Sequence, residues 1–100
     1  SSLEGKLQEK NMIVKKAEEG ILLAKKLKNR FYQLVFKLLI LRIENKLDLY
    51  YSFIEKNALP YFQLNEHTFF INKYAKVLYD YYIEMEHHEK VAQISKILIK

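Results

Sequence analysis

Apolar residues recur every three or four positions along most of this chain, which is the spacing that places them on one side of an α-helix. From about Lys10 to Leu27, one such stripe carries Ile13, Ala17, Ile21 and Ala24. Lysines and glutamates fill most of the positions between them. The pattern predicts a long first helix that ends at the polar sequence KNR, residues 28–30.

The most apolar stretch is FYQLVFKLLILRI, residues 31–43, which three polar residues interrupt. A membrane-spanning helix needs about 20 predominantly apolar residues, so this run is too short to cross a bilayer. A helix that is apolar on nearly every side is more often buried between protein neighbours. We therefore expect a second helix from Phe31 to about Glu44, with Leu34, Leu38 and Leu41 in the core.

Three further helices are predicted after residue 46. The third starts near Asp48, whose carboxylate favours a helix N-terminus, and Pro60 should kink or end it. The fourth covers roughly Thr68 to Met85 and the last runs from Glu89 to Ile99. The predicted links lie near residues 28–30, 44–47, 63–67 and 86–88. Five helices joined by such short links favour an all-α fold of successive antiparallel hairpins.

Composition supports this fold class and excludes others. The 100 residues include only two glycines and one proline, too few for the turns of an all-β domain. Half of the residues are hydrophobic, which suffices for the core of one domain spanning residues 1–100. The lack of cysteine excludes disulfides and thiolate metal sites. Because the chain starts with SSLEGK, which reads as a cut or processed end, we expect a fragment of a larger protein.

Positive charge is concentrated at the start of the chain. Residues 1–30 contain eight Lys or Arg and four Glu, whereas residues 61–100 contain five charges of each sign. A basic first helix could contact nucleic acid or an anionic surface, and this is the alternative function. Since no recognition motif accompanies the charge, we favour a solvated helix face and expect neither nucleic acid nor a membrane as partner.

The adjacent His87 and His88 are the most conspicuous candidates for a metal or proton site. Neighbouring residues of a helix diverge by about 100°, so the two rings cannot easily hold one ion. The i, i+4 spacing of a helical zinc pair is offered only by Glu84 and His88, and there is no HExxH. We expect these histidines to turn one helix into the next. With no nucleophile or phosphate-loop motif in the chain, we expect no cofactor and no enzymatic activity.

The last hairpin, AKVLYDYYIEMEHHEKVAQISKIL, resembles a tetratricopeptide repeat. The packing positions of the two helices of that motif are matched by Ala75, Leu78 and Tyr82 and by Val91, Ser95 and Leu98. Two residues depart from the motif: Tyr79 occupies the usual small-residue position, and Glu86 stands where the turn glycine lies. The polar links also recur about 36 and 41 residues apart, a loose period that is typical of helical repeat arrays.

A wider region, about residues 18–98, is similar to the C-terminal repeats of the peptide-sensing Rap phosphatases of Gram-positive bacteria and their transcription-factor relatives. The stretches that carry this resemblance are EEGILLAKKLKNRFYQLVF and FIEKNALPYFQLNEHTFFINKYAKVLYDYY. It implies a cytoplasmic regulator with a right-handed superhelix whose concave side holds a short peptide or a partner protein. The residues implied to line that side are Tyr32, Arg42, Asn72, Lys73, Lys76 and Asp80.

The C-terminal sequence ISKILIK indicates a second kind of partner. Its apolar residues are Ile94, Ile97, Leu98 and Ile99. They are spread too widely around a helix to be covered by one neighbouring helix, and the terminal helix of a repeat fragment lacks its next neighbour. We therefore expect homo-oligomerisation, or docking of a missing segment, through this helix.

Overall fold

The computed structural model describes residues 2–98, with the backbone alone at residue 2, and all regular structure in this part of the chain is helical. The elements are α1 (Ser2–Lys26), α2 (Arg30–Ile43), α3 (Leu47–Phe53), a π-helical turn (Ile54–Ala58), α4 (Leu59–Leu64), α5 (Thr68–Glu84) and α6 (His88–Ser95). Because α3, the π turn and α4 follow one another without a break, we count them as one helix, which gives five helices in the described residues. The prediction of an all-α fold with five helices is confirmed.

The helices begin and end close to the predicted positions, except at the two ends of the chain. The first helix begins at Ser2 instead of about Lys10, because residues 3–9 are mostly strong helix formers although they carry little of the apolar stripe. The last helix ends at Ser95, and its predicted end at Ile99 lies outside the described residues.

Pro60 does not end the helix in which it lies. Instead, the π turn comes directly before it, and the Leu59 N–H bonds to the Ile54 carbonyl, five residues back. A proline inside an α-helix removes one hydrogen bond and presses its ring against the carbonyl four residues earlier. The wider π turn relieves both problems, so the helix continues to Leu64.

All four links between helices use the same backbone geometry. At each link, the second residue after the helix adopts a left-handed conformation with φ between 54° and 57°; these residues are Lys28, Asn45, Glu66 and Glu86. At the last link, the Glu86 N–H bonds to the Ile83 carbonyl and the His87 N–H bonds to the Tyr82 carbonyl, at 3.0 and 2.9 Å. This Schellman arrangement satisfies the final carbonyls of the helix, and glycine is its usual left-handed residue.

The chain divides into two compact units, with the boundary between Tyr50 and Tyr51. The prediction of one domain over residues 1–100 stays a prediction. In the first unit α1 packs along α2, and the predicted core residues Leu34, Leu38 and Leu41 are buried. On the α1 side the buried residues are small, which brings the two helices close together.

At Gly20, a side chain of α2 comes very close to the backbone of α1. A Cβ atom at position 20 would lie 2.7 Å from Cε2 of Phe36, so only glycine leaves room for the aromatic ring in its present place. The prediction that α2 is apolar and buried on nearly every side holds only in part, because Tyr32 and Leu39 are exposed.

In the second unit, α5 packs against the π turn, α4 and α6. Its core is formed by Ile54, Ala58, Leu59, Phe62, Tyr74, Ala75, Leu78, Tyr82 and Ile94. Phe62 is completely buried, and its ring stacks on that of Tyr74 with 5.7 Å between ring centres. From α6, Ile94 is buried in this core, while Ile97 and Leu98, which follow the helix, are half-buried. Self-association through the last helix stays a prediction.

Replacing Leu38 by Ala should lower the free energy of unfolding by about 2–5 kcal/mol, because it removes a side chain that is only 1% exposed and leaves a cavity. The neighbouring Leu39 is 41% exposed and provides the matched control. Leu39→Ala should cost less than about 1 kcal/mol. Urea denaturation of both variants measures the difference, and equal losses would place Leu38 outside the core.

Replacing Glu86 by Gly should raise the free energy of unfolding by roughly 0.5–1 kcal/mol, because glycine adopts φ near 55° without the steric cost that a Cβ atom adds. Glu86→Ala is the control, since it removes the same charge and keeps the Cβ atom. Thermal denaturation should give a higher midpoint for the glycine variant than for the alanine variant. The reverse order would show that the left-handed conformation at this link is not strained.

Candidate functional site

Four of the six predicted binding residues lie together on one exposed face of α5. They are Asn72, Lys73, Lys76 and Asp80. Lys76 Nζ lies 3.0 Å from Asp80 Oδ1, one turn along the helix. Since both side chains are well exposed, this pair contributes about 0.3–0.5 kcal/mol to stability, and an anionic ligand would have to compete with Asp80 for Lys76.

The other two predicted residues, Tyr32 and Arg42, lie on α2 in the first unit. Both are exposed, and ten residues of helix separate them, which corresponds to about 15 Å along the axis. One small ligand group therefore cannot contact both. Tyr32 lines an apolar groove of its own unit, whereas Arg42 does not.

The two histidines lie where the sequence placed them. His87 directly precedes α6 and His88 is its first residue, and both are exposed. Neither side chain caps the helix, although the His87 backbone N–H closes the link. Among the described residues, no three His, Asp or Glu side chains come together in a way that could hold a metal ion.

The second unit contains a groove that the sequence did not suggest. Its volume is about 370 Å³, and α4, α5 and α6 all contribute to its lining. Leu59, Leu78 and Ile94 supply buried apolar surface, and Gln63 and Gln93 supply exposed side-chain amides. The groove therefore combines an apolar floor with amide groups that can both donate and accept hydrogen bonds.

Three polar side chains form a cluster at the wall of this groove. The Glu55 carboxylate, on the π turn, accepts a hydrogen bond from the Tyr82 hydroxyl of α5. Its Oε1 atom also accepts from Lys90 Nζ of α6 at 2.6 Å. Lys90 Nζ in addition lies 5.4 Å from the centre of the Tyr82 ring. One carboxylate therefore ties together three helical segments of the unit.

The pKa values of this cluster reflect its hydrogen bonds. The bond from Lys90, followed by the bond from Tyr82, holds the pKa of Glu55 below its usual value, because both stabilise the carboxylate. Burial raises the pKa of Tyr82, and the hydrogen bond to the Glu55 carboxylate raises it further. At neutral pH the cluster thus contains an ionised carboxylate and a neutral phenol, and its negative charge is paired with Lys90.

Sequence reasoning missed this cluster because its members are far apart along the chain. Glu55 is 27 residues from Tyr82 and 35 residues from Lys90. Helical periodicity describes one helix at a time and does not tell which residues of different helices meet. The one local signal was Pro60, which predicts a disturbed helix, and π turns often occur at functional sites.

No protein-family model, no curated protein and no solved structure matches this chain. Within the described residues, no helix is both long enough and apolar enough to cross a membrane. A function must therefore be inferred from the grooves themselves, that is, from their geometry, the charges around them and their hydrogen bonds.

Replacing Glu55 by Gln should reduce the sensitivity of the fold to acid. Because the pKa of Glu55 is lower in the folded chain than in the unfolded chain, its carboxylate stabilises the fold above its ordinary pKa of 4.5. This contribution is lost as the pH falls through the lowered pKa. The Gln variant should be less stable than the wild type at pH 7, by about 1 kcal/mol for one charge-assisted contact, and the difference should shrink at low pH.

The control for this measurement is Glu84→Gln, which changes an exposed carboxylate on α5. The free energy of unfolding is measured by urea denaturation at about five pH values between 2 and 7. Plotted against pH, it should run nearly parallel for Glu84→Gln and the wild type, as expected for an exposed charge. If Glu55→Gln also runs parallel to the wild type, the cluster does not contribute to stability.

Proposed function

We propose that this chain is a peptide- or protein-binding helical repeat module. The observation that carries the proposal is the groove of the second unit, with its buried apolar floor and its amide-bearing walls. Its volume of about 370 Å³ suits one or two apolar side chains of a bound segment. Gln63 and Gln93 would pair with the peptide backbone on either side of those side chains.

The occupant that fits best is a short extended peptide with a branched apolar or aromatic side chain. The buried floor favours such a side chain because it removes apolar surface from water. The Glu55–Lys90 pair leaves little net charge at the wall, so a charged anchor would gain little there.

The repeat architecture is part of the same proposal. In its support, all four links share one backbone geometry, and left-handed residues of alternate links lie 38 and 41 positions apart. Ala75, Leu78 and Tyr82 of α5 are buried, as the packing positions of a tetratricopeptide repeat would be. We propose that the hairpins belong to a right-handed superhelix of that kind, in a cytoplasmic regulator that senses a signalling peptide.

The exposed face of α5 is a second candidate surface for this function. Lys73 and Lys76 lie about one turn apart there, and they would favour one acidic group or a free C-terminal carboxylate. This face and the groove lie on nearly opposite sides of α5, since Leu78 and Tyr82 line the groove. Substitutions therefore separate the two surfaces.

The test begins with peptides selected from a random display library against the 100-residue chain, followed by fluorescence anisotropy with each purified peptide. Gln93→Trp should narrow the groove and weaken binding by about tenfold or more, which corresponds to about 1.4 kcal/mol. Gln8→Trp, on an exposed position of α1, is the control and should change the affinity less than about twofold.

The second arm of the test uses Lys76→Glu. This substitution would weaken the binding of a peptide on the exposed face of α5 by about 1–3 kcal/mol, and it would leave the binding of a peptide in the groove unchanged. Binding that responds to Gln93→Trp alone supports the groove. A peptide that responds only to Lys76→Glu moves the function to the other face. Selected peptides that respond to neither substitution, or a selection that returns none, would contradict the proposal.

A further inference from the structure

A second groove lies in the first unit, between α1 and the start of α2. It has a volume of about 290 Å³ and a lining that is almost wholly apolar. From α1 it is lined by Gly20, Leu23, Ala24 and Leu27, and from the link and α2 by Asn29, Tyr32 and Phe36. None of these residues belongs to the groove of the second unit, so the two grooves are separate binding surfaces.

The rim of this groove exposes large apolar side chains to solvent. Leu23 is 57% exposed, Leu27 is 68% exposed and Tyr32 is 51% exposed. On α1, positions 20, 23 and 27 follow one another at helical spacing, so the apolar stripe extends over about two turns, or roughly 10 Å. A stripe of this length matches two successive apolar positions on a partner helix.

The charges around the groove are mostly positive. Residues 20–43 contain six Lys or Arg and no Asp or Glu, and the nearest carboxylates along the chain are those of Glu18 and Glu19, just before Gly20, and Glu44. In the described part of the chain, none of these six cations lies within salt-bridge distance of a carboxylate. Lys26 is three residues from Leu23 on the helix surface, and Arg30 follows the groove-lining Asn29. Lys26 and Arg30 lie within about one helical turn of lining residues, which is less than the Debye length of roughly 8 Å at physiological salt, so their charges act on a ligand in the groove.

We propose that the groove between α1 and α2 binds an acidic amphipathic helix of a partner protein. Apolar side chains at i and i+3 or i+4 of that helix would pack against the Phe36 ring, between Leu23, Leu27 and Tyr32. Glutamates or aspartates flanking them would lie near the unpaired cations of the hairpin. Apolar burial supplies most of the affinity, and the charge selects acidic over basic partners and speeds association.

Three other occupants fit the same observations less well. A second copy of the chain would bring two positively charged hairpins together. Nucleic acid would bind the cations but leave the exposed leucines in water, and for base stacking the groove offers only the exposed ring of Tyr32 and the half-buried ring of Phe36. An anionic bilayer would interact with both the cations and the exposed leucines. It favours an apolar surface that protrudes, however, whereas the leucines of this groove surround a concave surface.

The chain itself supplies the reporter for the test. It has only two glycines, Gly20 in the groove and Gly5 outside it, and glycine amides fall in their own region of a ¹H–¹⁵N correlation spectrum. The probe is a 16-residue synthetic helix with Leu at i, i+4 and i+7 and Glu on its other faces. A peptide of identical composition and scrambled order serves as its control. Titration of the labelled 100-residue chain should shift the Gly20 amide and leave Gly5 in place.

Two pairs of variants separate the apolar contribution from the charge. Leu23→Ser should weaken binding of the acidic helix about tenfold or more, whereas Leu64→Ser, an exposed leucine of the second unit, should not change it. Lys26→Gln with Arg30→Gln should weaken binding about threefold to tenfold at low salt, and less at high salt. Lys56→Gln with Lys96→Gln removes the same charge elsewhere and should have little effect.

The other possible occupants are tested in parallel titrations. One uses vesicles of phosphatidylcholine with phosphatidylserine, and another uses a 20-nucleotide single strand. The proposal is overturned if either of them shifts the Gly20 amide signal while the acidic helix does not. The same holds for a concentration-dependent Gly20 shift without any probe, which would indicate self-association. Equal binding of the ordered and scrambled peptides would also reject it, because charge alone would then explain the affinity. The groove between α1 and α2 does not depend on the groove of the second unit. Gln93→Trp should therefore leave the affinity for the acidic helix unchanged.

Discussion

The structure depends on one backbone constraint, which is that all four links between helices place a residue other than glycine in the left-handed conformation. At each link, the second residue after the helix adopts this conformation, and its own amide and the next one bond back to the last turn of that helix. Asn45 tolerates this conformation better than Lys28, Glu66 and Glu86 do. The hydrogen bonds of each link offset this strain, because they satisfy the last carbonyls of the helix that precedes it.

Within each unit, the same hairpin geometry leaves a groove, because a few helices cannot cover each other on all sides. In the second unit, α4 and α6 both pack on α5, and the groove lies over α5 between them. In the first unit, the approach of Phe36 to Gly20 brings α1 and α2 together and leaves Leu23 and Leu27 at the rim. Both grooves are thus consequences of packing rather than of any local motif.

The two grooves differ mainly in how charge is arranged around them. At the groove of the second unit, the Glu55 carboxylate pairs with Lys90 and accepts a hydrogen bond from Tyr82, so the polar groups are satisfied within the chain. At the groove of the first unit, the cations of residues 20–43 form no salt bridge with a carboxylate in the described part of the chain. Paired charges stabilise and position helices, whereas unpaired ones of a single sign are available to a ligand. This contrast is why we assign an acidic partner to the groove of the first unit and an uncharged apolar anchor to the groove of the second.

The sequence alone determined the helices, their links and the main core residues of α2. Helical periodicity and polar interruptions are local properties, so Leu34, Leu38 and Leu41 could be placed in the core, and the histidines at a link, from spacing alone. Glu86 was also recognised as the residue in the position of a turn glycine. The six predicted binding residues, by contrast, rested on a resemblance, and they lie on exposed faces of two different units.

Only the tertiary structure decided which side chains of different helices meet. Glu55, Tyr82 and Lys90 come from three segments, and nothing in their local sequence indicates that one carboxylate binds both partners. The same is true of Gly20 and Phe36, whose contact creates the groove of the first unit. The physical reason is that periodicity defines the apolar side of each helix, while the rotation and offset of one helix against another follow from how their particular side chains fit together.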